Sequence, residues 1–362
     1  MKNSPLHQKH IQRQAKMADF GGWLMPIEYP GAGVLAEHKA VRERVGLFDV
    51  SHLGKASVSG PGSLEFLNLM FTNDLSRITD GKAQYTLLCN DDGGVVDDLI
   101  AYKNSDEDFF LIPNASNTAD VVRVLQSQAP QGISVTNLHE EFGVLALQGP
   151  DAQAVIKSLG VNPTMDYMAF AHVIIGGCDV ILCRTGYTGE HGYEIVPRWD
   201  DAEVVWDVLV QAMKAFDGEV CGLGSRDTLR TEMGYPLHGH ELTLEITPVQ
   251  ASAGWAIGWK KVSFRGATAL RAEREEGTVR TLRALKSNDR GIPRAGMLVK
   301  DMRGAEVGVV TSGTFSPSLK AGIALALIDP GLSEGDEVVI DVRGRTSSAT
   351  IASLPFSPSR VR

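Results

Sequence analysis

At 362 residues the chain is longer than one ordinary hydrophobic core requires, so two or three compact units are expected. An apolar fraction of 43% with 22% charged residues is globular and excludes an intrinsically disordered chain. A net charge of −9 argues against a nucleic-acid partner, whose phosphates demand an excess of Lys and Arg on one face.

The first periodic stretch is 6–20. Leu6, His7, His10, Ile11, Ala15, Met17 and Phe20 recur at helical spacing behind Pro5, and Gly21-Gly22 ends the helix. A second helix is predicted over 37–45, stopped by Gly46, then a strand over 47–58, a Gly60-Pro61-Gly62 turn and a helix over 63–69. Two β-rich runs, 85–89 and 95–102, flank the Asp/Gly-rich loop 90–94 and read as a hairpin. A strand over 109–113 and a helix over 117–126 follow, the latter capped by Asn117 or Thr118. Strands over 142–148 and 179–184 and helices over 202–215 and 226–233 complete this part, which is α+β with mixed sheets. The charged, glycine-interrupted stretch 271–280 reads as a linker. Beyond it, short strands near 282–285, 297–299, 306–311, 323–328, 337–340 and 348–352 predict a small barrel or sandwich.

No apolar run reaches the length of a membrane span, and the first ten residues lack the apolar core of a signal peptide. Cys89, Cys178, Cys183 and Cys221 form no C-x-x-C pair and read as buried reduced thiols of a cytoplasmic protein.

Four patterns bear on chemistry. In Arg184-Thr185-Gly186-Tyr187-Thr188-Gly189-Glu190-His191-Gly192-Tyr193-Glu194, glycine recurs at every third position between tyrosines and glutamates. Such a run is either a turn-rich hairpin or a site for a flat heterocycle carrying adjacent N–H donors. It does not suit a phosphate, which wants backbone N–H groups and a Lys or Arg. Asp97 and Asp98 are consecutive on a predicted strand, so their side chains point to opposite faces and cannot form one acid–base pair on one face. They either bond locally to backbone or, set in the apolar run 95–100, supply a functional carboxylate whose pKa is raised by burial. Arg226 and Arg230 share a helix face and make either a solvated face paired with Glu232 or an anion-binding fork. His238 and His240 read as a metal pair or as loop residues. Structural hydrogen bonding is expected of His52.

These blocks resemble the aminomethyltransferase family, the T-proteins of the glycine cleavage system. The glycine-rich segment matches its R-T-G-Y-T-G-E-x-G-Y/F-E signature. Gly93 to Tyr102 resembles its G-G-I-I-D-D-L-I/V-V-Y. Residues 222–235 follow G-L-G-A-R-D-x-x-R-x-E-x-x-Y, with Ser225 where alanine is usual, a serine able to cap the helix. Residues 49–54 follow D-V-S-H-M-G with Leu53 for methionine, and 311–319 follow T-S-G-x-F-S-P-S/T-L.

The resemblance implies a three-domain cloverleaf. A folate-binding domain (1–50 plus 140–270) is interrupted by a ferredoxin-like domain (51–139), and a β-barrel domain (281–362) follows the linker. It implies Asp98 as the catalytic carboxylate beside the reacting nitrogens of tetrahydrofolate. Glu194 would accept hydrogen bonds from the pterin, and Arg226, with Tyr235 nearby, would hold the glutamate tail. Tyr85, Ile100, Asn114, Tyr167 and Tyr187 would line the folate site. The implied partner is a lipoylated H-protein whose aminomethyl group passes to tetrahydrofolate with release of ammonia. No metal, flavin or NAD is implied, and no nucleic acid or membrane. The rival readings are a tetrahydrofolate-dependent demethylase of the same fold, a non-catalytic folate-binding protein and the folate half of a larger oxidase. The non-catalytic class carries K-G-C-Y-x-G-Q-E, whereas residues 234–241 here contain no cysteine.

Overall fold

A computed structural model of the chain describes residues 1–31, 33–342 and 344–362. The protein is α+β, a three-domain cloverleaf with mixed sheets, a ferredoxin-like middle domain and a C-terminal barrel.

The expected helix over 6–20 is instead a short helix, His7–Gln12, followed by the strand Lys16–Phe20. Gln14 adopts a left-handed φ of 56°, which stops the helix. Gly21 and Gly22, at 61° and 86°, turn the strand back into Trp23–Glu28. The helix expected over 37–45 starts earlier and spans Gly33–Glu43. The single strand expected over 47–58 is two strands, Gly46–Asp49 and Ala56–Ser59, in different sheets. The chain crosses between them in a polar turn that satisfies itself. Asp49 Oδ1 accepts from the Ser51 N–H at 2.9 Å, and the Lys55 ammonium caps the Ser51 and Leu53 carbonyls at 2.9 and 2.8 Å.

The first large sheet has the order Phe170–Ile175, Cys178–Cys183, Gly192–Pro197, Leu145–Gln148, Gly46–Asp49, Glu219–Cys221. Its neighbours are antiparallel except the last pair, which is parallel. One face packs Leu47, Leu145, Leu182 and Ile195 against Val155 and Ile156 of the helix Ala152–Ser158 and Val205, Trp206 and Leu209 of Ala202–Met213. The opposite face, with Phe48, Ala146, Cys183 and Val196, meets Leu223 and Leu229 of the helix Leu223–Met233. It also meets Tyr102, Phe110 and Ile112 of the middle domain.

The middle sheet runs Lys82–Cys89, Val95–Ser105, Asp108–Ile112, Ala56–Ser59, Ser134–Asn137, all antiparallel. Along Val95–Ser105 the period of two sends Leu99 and Ala101 into the core beneath the helices Ser63–Met70 and Thr118–Gln128. Asp98, Ile100 and Tyr102 take the other face, toward the first sheet.

Residues 271–280 are not an open linker, since the helix Ala267–Glu276 runs through most of them and buries Leu270. Their charge is this helix's solvent face. The helix core joins Leu87, Cys89 and Val95 of the hairpin to Leu282, Leu325 and Leu327 of the barrel. The barrel closes in the order Thr281–Ser287, Ala321–Ile328, Glu306–Ser316, Leu298–Lys300, Glu337–Val342, Arg345–Ala352. Its register slips between Val310 and Ser312, a bulge of the kind that re-aims side chains. There Ser312 Oγ accepts from Arg230 Nη2 at 2.7 Å.

Candidate functional site

Asp98 is partly buried, midway along its strand. Its Oδ2 accepts from the Tyr85 hydroxyl and its Oδ1 from the Asn114 side-chain amide, both at 2.9 Å. Tyr85 lies on the paired strand, and Trp255 stacks on its ring at 5.2 Å while remaining 69% exposed. An exposed aromatic is therefore two contacts from the carboxylate. Burial pushes the Asp98 carboxyl up, opposed by the Tyr85 and Asn114 hydrogen bonds and by the charge of His238. Asp97, on the other face as the alternation requires, is fully buried. Its carboxyl is also raised, by burial and then by the charge of Asp98.

The glycine-rich segment joins the strands Cys178–Cys183 and Gly192–Pro197. Its glycines face protein. A Cβ on Gly186 would lie 2.1 Å from Gln148 Oε1, and one on Gly189 (φ +79°) 2.0 Å from Met233 Sδ. Gln148 is the post around which the segment winds: Nε2 donates to the Thr185 and Tyr193 carbonyls, each at 3.2 Å, and Oε1 accepts from Thr188 Oγ1 at 2.8 Å. This winding presents Tyr187 and Glu194. Glu194 Oε2 accepts from Thr185 Oγ1 at 2.6 Å, and its Oε1 lies 3.9 Å from Arg226 Nη2. The Arg226 guanidinium sits 4.9 Å above the Tyr187 ring, and its Nη1 is buried with no partner among the described residues. A buried guanidinium N–H left unpaired is costly in a folded chain and marks a place where an acceptor belongs.

The two carboxylates belong to one region. Tyr187 carries Arg226 on its ring face, stacks on Tyr235 at 5.7 Å and lies in the field of Asp98. Tyr102, four residues along the strand from Asp98 and on its face, shares a 3.3 Å hydrogen bond with Thr185 Oγ1, which in turn holds Glu194. Asp98 and Tyr102 are about 13 Å apart by strand rise, and Ile100 fills the interval, packed against the first sheet. Tyr167 is half-buried. Burial and then the neighbouring Tyr235 and Glu194 raise its hydroxyl to about 12. Glu194 and Arg226 lie side by side.

Several expectations take other forms. Arg226 and Arg230 are not a solvated face. Arg230 is buried, bonded to Asp227 at 2.8 Å and Glu241 at 3.0 Å. Glu232 turns away from both. It accepts from His38 at 2.9 Å, from Arg42 Nη2 at 2.7 Å and from the barrel's Ser316 at 2.5 Å. Ser225 sits inside the helix, which begins after Gly222, and its hydroxyl donates to the Gly222 carbonyl at 2.9 Å, so it is not the cap. His238 and His240 bond to the Val95 and Thr311 carbonyls at 3.1 and 2.8 Å. His52 does not hydrogen-bond through Nδ1, which is buried and unpaired among the described residues; its ring meets Phe20 edge-on at 5.2 Å. Burial pushes the imidazole down to about 3, opposed by Asp49 and helped by the charge of Arg226. Sequence reasoning gave no separate role to Trp255, Thr185 or Gln148, although Thr185 stands inside the glycine-rich segment and Gln148 is a polar residue closing an apolar strand beside Gly149-Pro150.

Residues 6–261 match the family described as GCVT N-terminal domain, and 280–357 the Glycine cleavage T-protein C-terminal barrel domain. The chain is 58% identical over 356 residues to the aminomethyltransferase of Parafrankia sp. (strain EAN1pec), covering 98% of each. It is 54% identical over 363 residues to that of Mycobacterium tuberculosis (strain ATCC 25618 / H37Rv), covering 99% of this chain and 98% of the other. The crystal structure of glycine cleavage system aminomethyltransferase T from Bartonella henselae matches it with a TM-score of 0.93 at 34% identity, covering 99% of both chains.

Proposed function

The chain belongs to the glycine cleavage T-protein family and is an aminomethyltransferase, and from that premise we propose that it moves a one-carbon unit from an aminomethyl-lipoyl H-protein to tetrahydrofolate. The balance is a thioether R–S–CH2–NH2 and tetrahydrofolate going to R–SH, ammonia and 5,10-methylenetetrahydrofolate. The carbon's bonds to sulfur and to the amine nitrogen break, and bonds to two folate nitrogens form. The two hydrogens those nitrogens lose leave on the thiol and on ammonia.

Glu194 accepts from the adjacent N–H groups of the pterin, with Thr185 fixing its rotamer. Arg226, stacked on Tyr187, offers its free Nη1 to an acceptor at the same end. Asp98 stands by the acceptor nitrogens. Its charge favours a nitrogen becoming positive on attack, and its raised basicity suits it to relay the proton the amine needs to leave. Tyr85, Ile100, Asn114, Tyr167 and Tyr235 complete the walls and hold the acceptor in attack geometry. Expulsion of ammonia from an uncharged carbon–nitrogen bond is slow without such a proton donor.

The observation that supports this reading is Tyr187, which carries Arg226 on its ring face and stacks on Tyr235 while Asp98 is near enough to act on its hydroxyl. The test is ammonia release from aminomethylated H-protein with and without tetrahydrofolate. Release that does not depend on tetrahydrofolate would sink the proposal. Four free cysteines fit a reducing compartment, and the cytoplasm is the proposed location.

A further inference from the structure

Asp97 has no part in the reading above, yet it is fully buried and hydrogen-bonded on both oxygens. Its Oδ2 accepts from the Asn114 backbone N–H at 2.9 Å. Its Oδ1 accepts from the side-chain amides of Asn114 at 2.9 Å and Asn117 at 2.7 Å. Every partner is a donor, so the ionised carboxylate is matched and a proton on it would find no acceptor. Asn117, whose amide Asp97 accepts from, precedes the Thr118–Gln128 helix as its N-cap residue.

The amide of Asn114 is shared. Besides Asp97 it donates to Asp98 Oδ1 and to the Asp98 carbonyl, each at 2.9 Å. Two carboxylates on opposite faces of one strand are thus joined around its edge by a single side chain. Asn114 follows the neighbouring strand Asp108–Ile112, and Asp97 grips it by both backbone and side chain. With its two N–H groups engaged in this way, Asn114 has little freedom to turn toward a ligand as a donor.

We propose that Asp97 and Asn117 are positioning residues for the transfer: they lock Asn114 so that its amide fixes the rotamer of Asp98, and Asp97 keeps a negative charge behind the reacting carboxylate. The proposal rests on Asp98 being that carboxylate. Burial and the charge of Asp98 push the Asp97 carboxyl up as well, but its three donors leave a proton there without an acceptor, so the hydrogen bonding favours Asp97 as the anion of the pair, and an anion there disfavours a second charge on Asp98. The other titratable groups facing Asp98 are the Tyr85 and Tyr187 hydroxyls and His238. Asp97 faces the neutral amides of Asn114 and Asn117 and, across the strand, Asp98.

The test compares full-length Asp97→Asn and Asn117→Ala with wild type in steady-state ammonia release, read as kcat and KM for tetrahydrofolate across acid and neutral pH. In Asp97→Asn the acid limb of kcat moves down by about one pH unit, because the neighbouring anion is gone. In Asn117→Ala the charge stays, so the limb stays, while kcat falls about threefold to tenfold from the loosened amide with KM unchanged. A uniform loss at every pH in Asp97→Asn, or wild-type kcat in Asn117→Ala, overturns the proposal. If Asp97→Asn does not fold, Asn117→Ala decides alone. Asp98→Asn run alongside separates the failures: full turnover there removes the underlying reading, whereas an inactive Asp98→Asn with an unshifted Asp97→Asn removes only this one.

Discussion

Replacing Asp98 by asparagine changes its charge and almost nothing else. The carboxamide oxygen can still accept from Asn114, and the new amide can donate to the Tyr85 hydroxyl, which turns to accept. Both neighbours stay paired, so the fold should lose less than about 1 kcal/mol. What disappears is the charge and the proton carrier that the proposed mechanism sets beside the acceptor nitrogens. A positioned acid–base group is worth roughly 10²–10⁴-fold in rate, or about 3–5 kcal/mol of barrier. We predict that kcat for ammonia release falls by that factor, while the dissociation constant for tetrahydrofolate stays within about threefold. Binding can be followed by calorimetry, or through Trp255, whose indole stacks on Tyr85 at the site. Asp98→Ala is the control. It strands the Tyr85 hydroxyl and an Asn114 N–H, so it should also cost about 1–3 kcal/mol of stability. Near-wild-type turnover in Asp98→Asn would refute the assignment, whatever happened to binding.

Glu194→Ala should weaken tetrahydrofolate binding by about 1–3 kcal/mol, roughly fivefold to 150-fold; isothermal titration with unchanged affinity would remove Glu194 from the ligand site. Glu232→Ala leaves His38 without its carboxylate and Arg42 with Glu190 as its remaining anion and should cost about 1–3 kcal/mol, read as a lower thermal midpoint; an unshifted melt would contradict the clamp. The pH dependence of that clamp has a definite sign. The Glu232 carboxyl, despite burial, is held down to about 2 chiefly by His38 and Arg42. Its contribution is therefore complete above the ordinary carboxylate range and is lost as pH falls toward 2, so the wild type should lose more stability on acidification than Glu232→Gln. Gly189→Ala forces a side chain onto a φ of +79° and into Met233 and should lower the midpoint more than Gly177→Ala, whose Cβ meets nothing; equal effects would mean the close approach is unimportant.

The sequence shows the main sheets and the barrel wherever periodicity and turn chemistry agree, as in the hairpin Lys82–Cys89 and Val95–Ser105. It misleads where a short-range pattern has two outcomes. Apolar spacing over 6–20 suits a helix until Gln14 takes a left-handed conformation. The run 47–58 suits one strand until Asp49 and Lys55 fold its middle into a turn. In the site, Asp97-Asp98 stands out because two acids in an apolar run must be paired to be tolerated. The identity of their partners, Asn114 and Asn117, depends on a neighbouring strand and its loop, which no local pattern encodes. The glycine period is visible too, but its cause is not: Gln148 and Met233 press on it from elsewhere in the chain. Glu232 reads as a surface helix residue because the barrel serines that bury it lie more than eighty positions away.

The hydrophobic cluster linking the hairpin to the barrel ties the barrel's stability to the strand pair that carries Asp98. Leu87, Cys89 and Val95 come from the two strands that carry Tyr85 and Asp98, and they share their packing with Leu282, Leu325 and Leu327. The barrel is thus a buttress for the reacting strand pair rather than a detachable appendage. Amides in Lys82–Cys89 and Ala321–Ile328 should exchange with deuterium through one common opening event, and a chain cut ahead of Thr281 should lose rigidity at the hairpin first.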